Sequence, residues 1–254
     1  MKKYAIVDWF GFNLPPQDRM KCIKQAGFSS VLLLWTDQFD ENYKLFPEYA
    51  EKEGLLVESA HASYLDSDSL WDDSIDGNDY MKKIIESVKE CSERMVPNLV
   101  LHPSWERKAL PNDGTGIQRL MRIVDQAEKS GINIAIENTI SHEYLEYIFG
   151  RIQSDRLGFC YDSGHHNLYC PEIDLLDLYG EKLFTLHLHD NDGKEDQHAL
   201  PFTGNIDWNR LSIKLDEIDF KGSVSLEVRR SIGLEYINNP ADFLIIAIGN
   251  AAKI

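Results

Sequence analysis

The chain reads as a single α/β domain over residues 1–254, a closed (β/α)8 barrel of the TIM type, and three observations predict it. Short apolar runs alternate with longer amphipathic stretches, as in repeated βα units. Eight such pairs fit into 254 residues, and 43% hydrophobic content can fill one sizeable core. Histidines and carboxylates collect where the apolar runs stop, the end of a barrel strand at which active sites are built. A doubly wound open sheet is the alternative, but no GxGxxG follows the first run.

Taken in order, strands are expected at 4–8 (YAIVD), 30–35 (SVLLLW), 55–59 (LLVES), 97–102 (PNLVLH), 132–137 (INIAIE), 157–161 (LGFCY), 184–189 (FTLHLH) and 223–227 (SVSLE). Helices are expected at 16–26, 41–53, 75–95, 114–130, 141–153, 172–182, 207–217 and 233–249. Gly27, Gly54 and Gly131 stand where helices should end, and Asp207 where one should start. Two long loops stand out. The acidic segment 64–80 should hang over the catalytic face or form a solvated charge run, and 190–206 mixes Pro, Gly, Phe and Trp as an ordered loop does.

A net charge of −16 disfavours nucleic acid and anionic membranes and favours a small neutral or weakly charged substrate. Cys22, Cys91, Cys160 and Cys170 are far apart and form no CxxC, so neither a disulfide framework nor a cysteine zinc site is expected. The opening MKKYAIVDWF is interrupted by Asp8 too early for a secretory leader, and no apolar run is long enough to cross a bilayer. A cytoplasmic protein is expected, with oligomerisation left open.

Seven of the eight histidines lie in SAHASY (59–64), LHPS (101–104), YDSGHH (161–166), LHLHDND (186–192) and DQH (196–198), with carboxylates in IAIEN (134–138) and SLEV (225–228). Glu137, Asp162, His189 and Glu227 close four consecutive strands, whose ends lie about 5 Å apart in a barrel. They can therefore converge on one divalent cation, and three carboxylates with one imidazole suit Mn²⁺, Mg²⁺ or Co²⁺ and tolerate Zn²⁺. His187 faces the same side as His189 and is the alternative ligand. His165, three after Asp162, can reach the same cavity for substrate or a second ion. His61, His102, Asp196 and His198 are candidates for pocket lining or for contacts behind the ligands. His142 and His166 are expected to be structural or exposed. Trp9, Trp35 and Trp105 follow strands one, two and four, where they either stack on a sugar or pack under loops, and Arg107, Lys108, Lys194, Arg229 and Arg230 lie near the rim.

The ordered set AHASY, LHPS, IENT, YDSGH, HLHDNDG with DQH, and SLEV resembles the xylose isomerase-like superfamily of TIM barrels, which holds sugar isomerases and epimerases together with endonuclease IV. The resemblance runs from strand three to strand eight. It implies that Glu137, Asp162, His189 and Glu227 bind one metal, with Glu137 and Glu227 as the catalytic acid and base on opposite faces of a sugar. It also implies substrate contacts from His165 and from Glu143, a further pocket carboxylate of ketose epimerases. Those epimerases carry an arginine shortly after the seventh-strand histidine, where this chain has Lys194 and Glu195.

The endonuclease IV pattern is present as well. Its site of up to three zinc ions would map onto His61, His102, Glu137, Asp162, His165, His189 or His187, Asp196, His198 and Glu227. Charge separates the two expectations: DNA is gripped through phosphates by Lys and Arg, whereas Asp66, Asp68, Asp72, Asp73, Asp76 and Asp79 crowd one rim loop. The leading expectation is a metal-dependent sugar or sugar-phosphate isomerase or epimerase. A zinc phosphodiesterase, a polyol or inositol dehydratase, and a non-catalytic sugar-binding barrel are the alternatives.

Overall fold

The computed structural model describes residues 2–107, 109–110, 114–230 and 237–254. Lys108 and the first part of the helix expected at 233–249 lie outside the described residues. Strands β1 (Tyr4–Val7), β2 (Ser30–Trp35), β3 (Leu56–Ala62), β4 (Asn98–Leu101), β5 (Asn133–Glu137), β6 (Leu157–Asp162), β7 (Leu183–His187) and β8 (Val224–Leu226) pair in parallel in the order β7-β6-β5-β4-β3-β2-β1-β8. A parallel bridge between Leu188 and Leu226 joins the two ends of this order, with the Leu188 amide donating to Ser225 O and the Glu227 amide to Leu188 O. The expected (β/α)8 barrel is what forms.

Helices α1 (Pro16–Gln25), α2 (Phe46–Lys52), α3 (Ile75–Glu93), α4 (Thr115–Ser130), α5 (Glu143–Phe149), α6 (Ser163–Tyr169), α7 (Leu175–Tyr179), α8 (Trp208–Glu217) and α9 (Pro240–Ala251) surround it. The outward residues of the strands and the inward faces of the helices make the main core, around Ile6, Leu32, Ile134, Phe159 and Leu226. A separate small group, Val100, Ala135 and Cys160, is buried apart from that core. These three sit on the same face of their strands as His102, Glu137 and Asp162, two residues further on. They form the layer on which the polar side chains rest.

The caps follow local chemistry. Gly131 ends α4 in the left-handed conformation (φ 73°), and the Asp207 side chain accepts from the Arg210 amide to start α8. Three helical spans differ from expectation. The segment 172–182 holds only α7 and a following 3-10 turn at Gly180–Lys182. SGHHNLY, read as a loop, forms α6 because the Asp162 side chain caps it by accepting from the His165 amide at 2.6 Å. Helix α9 starts at Pro240 because Asn239 accepts there from the Ala241 amide.

The acidic segment after β3 is built rather than merely solvated. It makes a 3-10 turn at Ser67–Trp71, and Asp68 accepts from the amides of Trp105, Glu106 and Arg107, tying the β3 and β4 loops together. No helix among the described residues is long and apolar enough to cross a membrane.

Candidate active site

Six of the eight strands, β3 to β8, each deliver one inward side chain to the cluster at the C-terminal end of the barrel. His61 comes from β3, His102 follows β4, Glu137 ends β5, Asp162 ends β6, His187 ends β7 and Glu227 follows β8. Between β6 and β7 the register pairs Asp162 with His187, so His187 stands beside Asp162 on the neighbouring strand and His189 two residues further on. His187 Nδ1 accordingly lies 2.9 Å from Glu137 Oε2 and 3.2 Å from Glu227 Oε2. One donor atom each from Glu137, Asp162, His187 and Glu227 falls within a 4.8 Å span. This is the quartet expected from the sequence with His187 in place of His189.

His189 belongs to an adjoining group. Its Nε2 is 3.1 Å from Asp162 Oδ1 and 3.6 Å from Asp196 Oδ1, and its ring stacks on that of His198 at 4.2 Å. His189, Asp196 and His198 also bring donor atoms within that span. On the other side of Glu137, His61 Nε2 and His102 Nε2 approach its two oxygens at 3.3 Å each, and His165 Nδ1 approaches Oε1 at 3.0 Å.

Backbone contacts set the tautomers. A carbonyl can only accept, so His61 Nδ1 donates to Ala62 O (2.8 Å) and His198 Nδ1 to Glu227 O (2.8 Å). In its neutral form the His61 ring then turns a bare Nε2 toward the cavity, the arrangement found behind metal-ligating histidines, whereas His198 Nε2 faces Asp196 Oδ2 at 3.1 Å and donates there. His198 holds this position at a left-handed φ of 46°, strain of the sort that collects at functional sites. Asp162 is fixed from behind by Asn138, whose side chain donates to Asp162 O and accepts from its amide, both at 2.8 Å.

The charges interlock. Burial alone would raise the Glu137 carboxyl, but the charges of His102 and His187 hold it well below the usual carboxylate range. Burial opposes Glu227 in the same way, and His187 and His198 again win. Conversely, burial disfavours charge on His165 and His187, yet Asp162 beside the first, and Cys160, Glu227 and Glu137 beside the second, raise both well above the usual histidine range. His198 is raised to about 9, against its burial, by the hydrogen bond and charge of Asp196. His102 moves the other way, burial lowering its affinity for a proton.

Some expected residues lie elsewhere. Glu143 is exposed at the start of α5 and faces an outer groove with Leu110, Tyr147 and Arg151, away from the cluster. His166 is structural, its ring held between Tyr161 Oη and Ile173 O at 2.7 Å each. Trp35 is buried, edge-on to Tyr43. Trp105 does reach the site, packing on Tyr64 at 4.6 Å, while Tyr64 stacks on His102 at 4.8 Å. Sequence reasoning passed over Tyr64 and Asn138. Both lie inside singled-out motifs, Tyr64 closing SAHASY three residues after His61 and Asn138 following Glu137 in IENT, and that nearness was the available signal.

Fold relatives agree with this architecture. The D-tagatose 3-epimerase-like protein has a TM-score of 0.78 at 21% identity, over 100% of this chain and 97% of its own. D-psicose 3-epimerase from Clostridium cellulolyticum, solved with D-tagatose, has a TM-score of 0.78 at 15% identity, over 100% and 99%. The IolI protein, solved with a zinc atom, has a TM-score of 0.75 at 21% identity, over 100% and 96%.

Among curated proteins, the uncharacterized protein y4fM of Sinorhizobium fredii is 31% identical over 145 residues, 52% of this chain and 47% of that one. The uncharacterized protein MJ1311 of Methanocaldococcus jannaschii is 30% identical over 163 residues, 58% and 55%. The chain spans about half the length of these two relatives. The model of one family, the xylose isomerase-like TIM barrel, matches residues 21–245, and the chain belongs to that family.

Proposed function

We propose that the chain is a metal-dependent sugar isomerase or epimerase, with Glu137, Asp162, His187 and Glu227 holding one divalent cation. The observation that carries this reading is the quartet itself: donor atoms of Glu137, Asp162, His187 and Glu227 converge within 4.8 Å, the Glu137 oxygens meet only imidazole nitrogens without a well-aligned hydrogen bond, and Oδ2 of Asp162 has no partner. Buried polar groups are rarely left so, and a cation that accepts several oxygen donors and an imidazole fits them. The likeness to sugar 3-epimerases supports the substrate class. When bound, the cation supplies Lewis-acid polarisation of a substrate carbonyl and its neighbouring hydroxyl.

The side chains do the rest. Glu137 Oε2 and Glu227 Oε2 both lie against His187 Nδ1, at 2.9 and 3.2 Å, and a sugar carbon held between the two carboxylates presents one face to each. One carboxylate takes the proton from the carbon next to the carbonyl, and the other, having first taken a proton from solvent, returns it to the opposite face, which epimerises that centre. Return to the neighbouring carbon isomerises instead. Tyr64 and Trp105 close the β3 and β4 side of the cavity.

A second reading is favoured by one observation. Glu137 is shared by further donor groups, His61 with His187 and His102 with His165, and His189, Asp196 and His198 form another. That set could hold up to three zinc ions for phosphodiester hydrolysis, as in endonuclease IV. Against it stands the rim, where Asp66, Asp68, Asp72, Asp73, Asp76 and Asp79 would repel DNA.

The test is solvent-deuterium exchange into a panel of ketoses, followed by NMR with metal at saturation. The sugar-enzyme reading expects label at the carbon next to the carbonyl of at least one sugar. It fails if no ketose is labelled while abasic duplex DNA is cut efficiently in the presence of zinc.

A further inference from the structure

Beside the quartet, on its β1, β2 and β8 side, lies a cavity of about 70 Å³ lined by Trp9, Phe39, Tyr64, His198, Glu227 and Arg229 among others. The chain runs on past β8 as an extended ladder. The Glu227 amide donates to Leu188 O, the Arg229 amide to His198 O and the Arg230 amide to Phe10 O, each at 3.0 Å. Alternation along an extended chain puts Ser225, Glu227 and Arg229 on one side and Leu226, Val228 and Arg230 on the other. The surroundings agree: Leu226 and Val228 are buried in the core, and Arg230 lies over the Phe12 ring. Arg229 therefore stands two residues, roughly 7 Å of strand, above Glu227 on the cavity side.

Its charge is uncommitted. Among the described residues no carboxylate lies within ion-pair distance of Arg229, whereas Arg107 across the rim is gripped by both oxygens of Asp72 at 2.7 and 2.8 Å. The walls beside Arg229 are the aromatic rings of Trp9, Phe39 and Tyr64. Trp9 is itself braced by the Arg19 guanidinium, 5.4 Å from its ring. An arginine fork above a wall of rings, at that height over the reacting carboxylate, matches the span from the reacting carbons of an extended pentose or hexose to its far end. A fork of donors binds oxyanions in preference to hydroxyls.

We propose that the substrate carries a terminal oxyanion, phosphate or carboxylate, at the end remote from its carbonyl. Arg229 binds that group, and Trp9, Phe39 and Tyr64 wall the carbon chain between. This rests on the sugar-enzyme reading above, and it makes Arg229 the residue that sets specificity.

The test compares matched probes on the metal-loaded wild type, Arg229→Lys and Arg229→Met, using deuterium labelling to obtain half-saturation and limiting rate. The pairs are D-ribulose with D-ribulose 5-phosphate, and D-fructose with D-fructose 6-phosphate and with the ketouronate D-fructuronate. Wild type should favour the anionic member of at least one pair by roughly tenfold or more in half-saturation. Arg229→Met should bring that ratio close to unity, and Arg229→Lys should keep part of it. Preference within a phosphate pair or for the ketouronate tells the two anions apart. Equal use of neutral and anionic members, or a preference that survives Arg229→Met, overturns the assignment while leaving the sugar-enzyme reading in place. Labelling of no ketose, charged or neutral, removes both.

Discussion

At the end of β1, Asp8 is buried against Arg19 with both oxygens engaged: Oδ2 accepts from the guanidinium and Oδ1 from the Leu34 amide, each at 2.8 Å. The Arg19 guanidinium lies over the rings of Trp9 and Phe46. At the ends of β5 and β6, Glu137 and Asp162 are as deeply buried, yet both oxygens of Glu137 and one of Asp162 lack a hydrogen bond. The two places lie on one rim and bury carboxylates at similar depth. Asp8 has a dedicated counter-charge and full geometry, as a structural pair requires. The β5 to β8 carboxylates face only one another and imidazoles, an arrangement completed by something bound.

The largest effect expected from this difference is on chemistry. Glu227→Gln keeps an oxygen but loses the basicity needed to accept a carbon-bound proton, so labelling of the best ketose should fall by about 10²–10⁴-fold with metal at saturation. Full activity in that variant would assign the proton transfer elsewhere.

The next effect is on stability and differs in size at the two places. Arg19→Met leaves Asp8 buried without its partner and should cost about 3–5 kcal/mol in denaturant unfolding. Glu137→Gln, measured without metal, removes a carboxylate that His102 and His187 stabilise in its charged form, so it too should cost stability at neutral pH, but less than Arg19→Met because those imidazoles can shed their protons. Equal losses in both variants would erase the distinction.

The smallest effect is on pH. Burial raises the Asp8 carboxyl to about 6, more than Arg19 lowers it, from an unfolded value of 3.8. The folded state thus holds that proton more tightly, and its contribution to stability is complete below about pH 4 and lost as pH rises through 6. Relative to Asp8→Asn, wild type should lose up to about 3 kcal/mol across that window. A pH-independent difference would show that Asp8 is already ionised at low pH.

These contrasts bear on how much was readable in advance. The strands were, because apolar runs bounded by Gly and polar residues mark them without reference to partners. That Glu137, Asp162 and Glu227 share a level was readable too, since each closes its run. The choice between His187 and His189 was not: both face inward, the β6–β7 register pairs His187 with Asp162, and His189 Nε2 still reaches Asp162 Oδ1 at 3.1 Å. Helix α6 escaped because SGHHNLY carries no apolar periodicity, its start being fixed by the Asp162 cap. Glu143 entered through the resemblance and not through any pattern of its own, and it lies exposed at the start of α5. The alternation that places Glu227 places Arg229 as well, and was legible once β8 was located.

The most direct measurement is of metal content and affinity at two pH values. Purified protein is stripped, reloaded separately with Mn²⁺, Co²⁺ or Zn²⁺, dialysed and subjected to elemental analysis, with calorimetric titration at pH 6 and pH 8. Because His165 and His187 hold protons that a cation must displace, binding should release protons and weaken as pH falls. The account predicts at least one tightly held ion per chain at pH 8, weaker retention at pH 6, and loss of that ion in Glu137→Ala. A chain that retains no divalent ion at pH 8, or a Glu137→Ala variant that binds as wild type does, would contradict it.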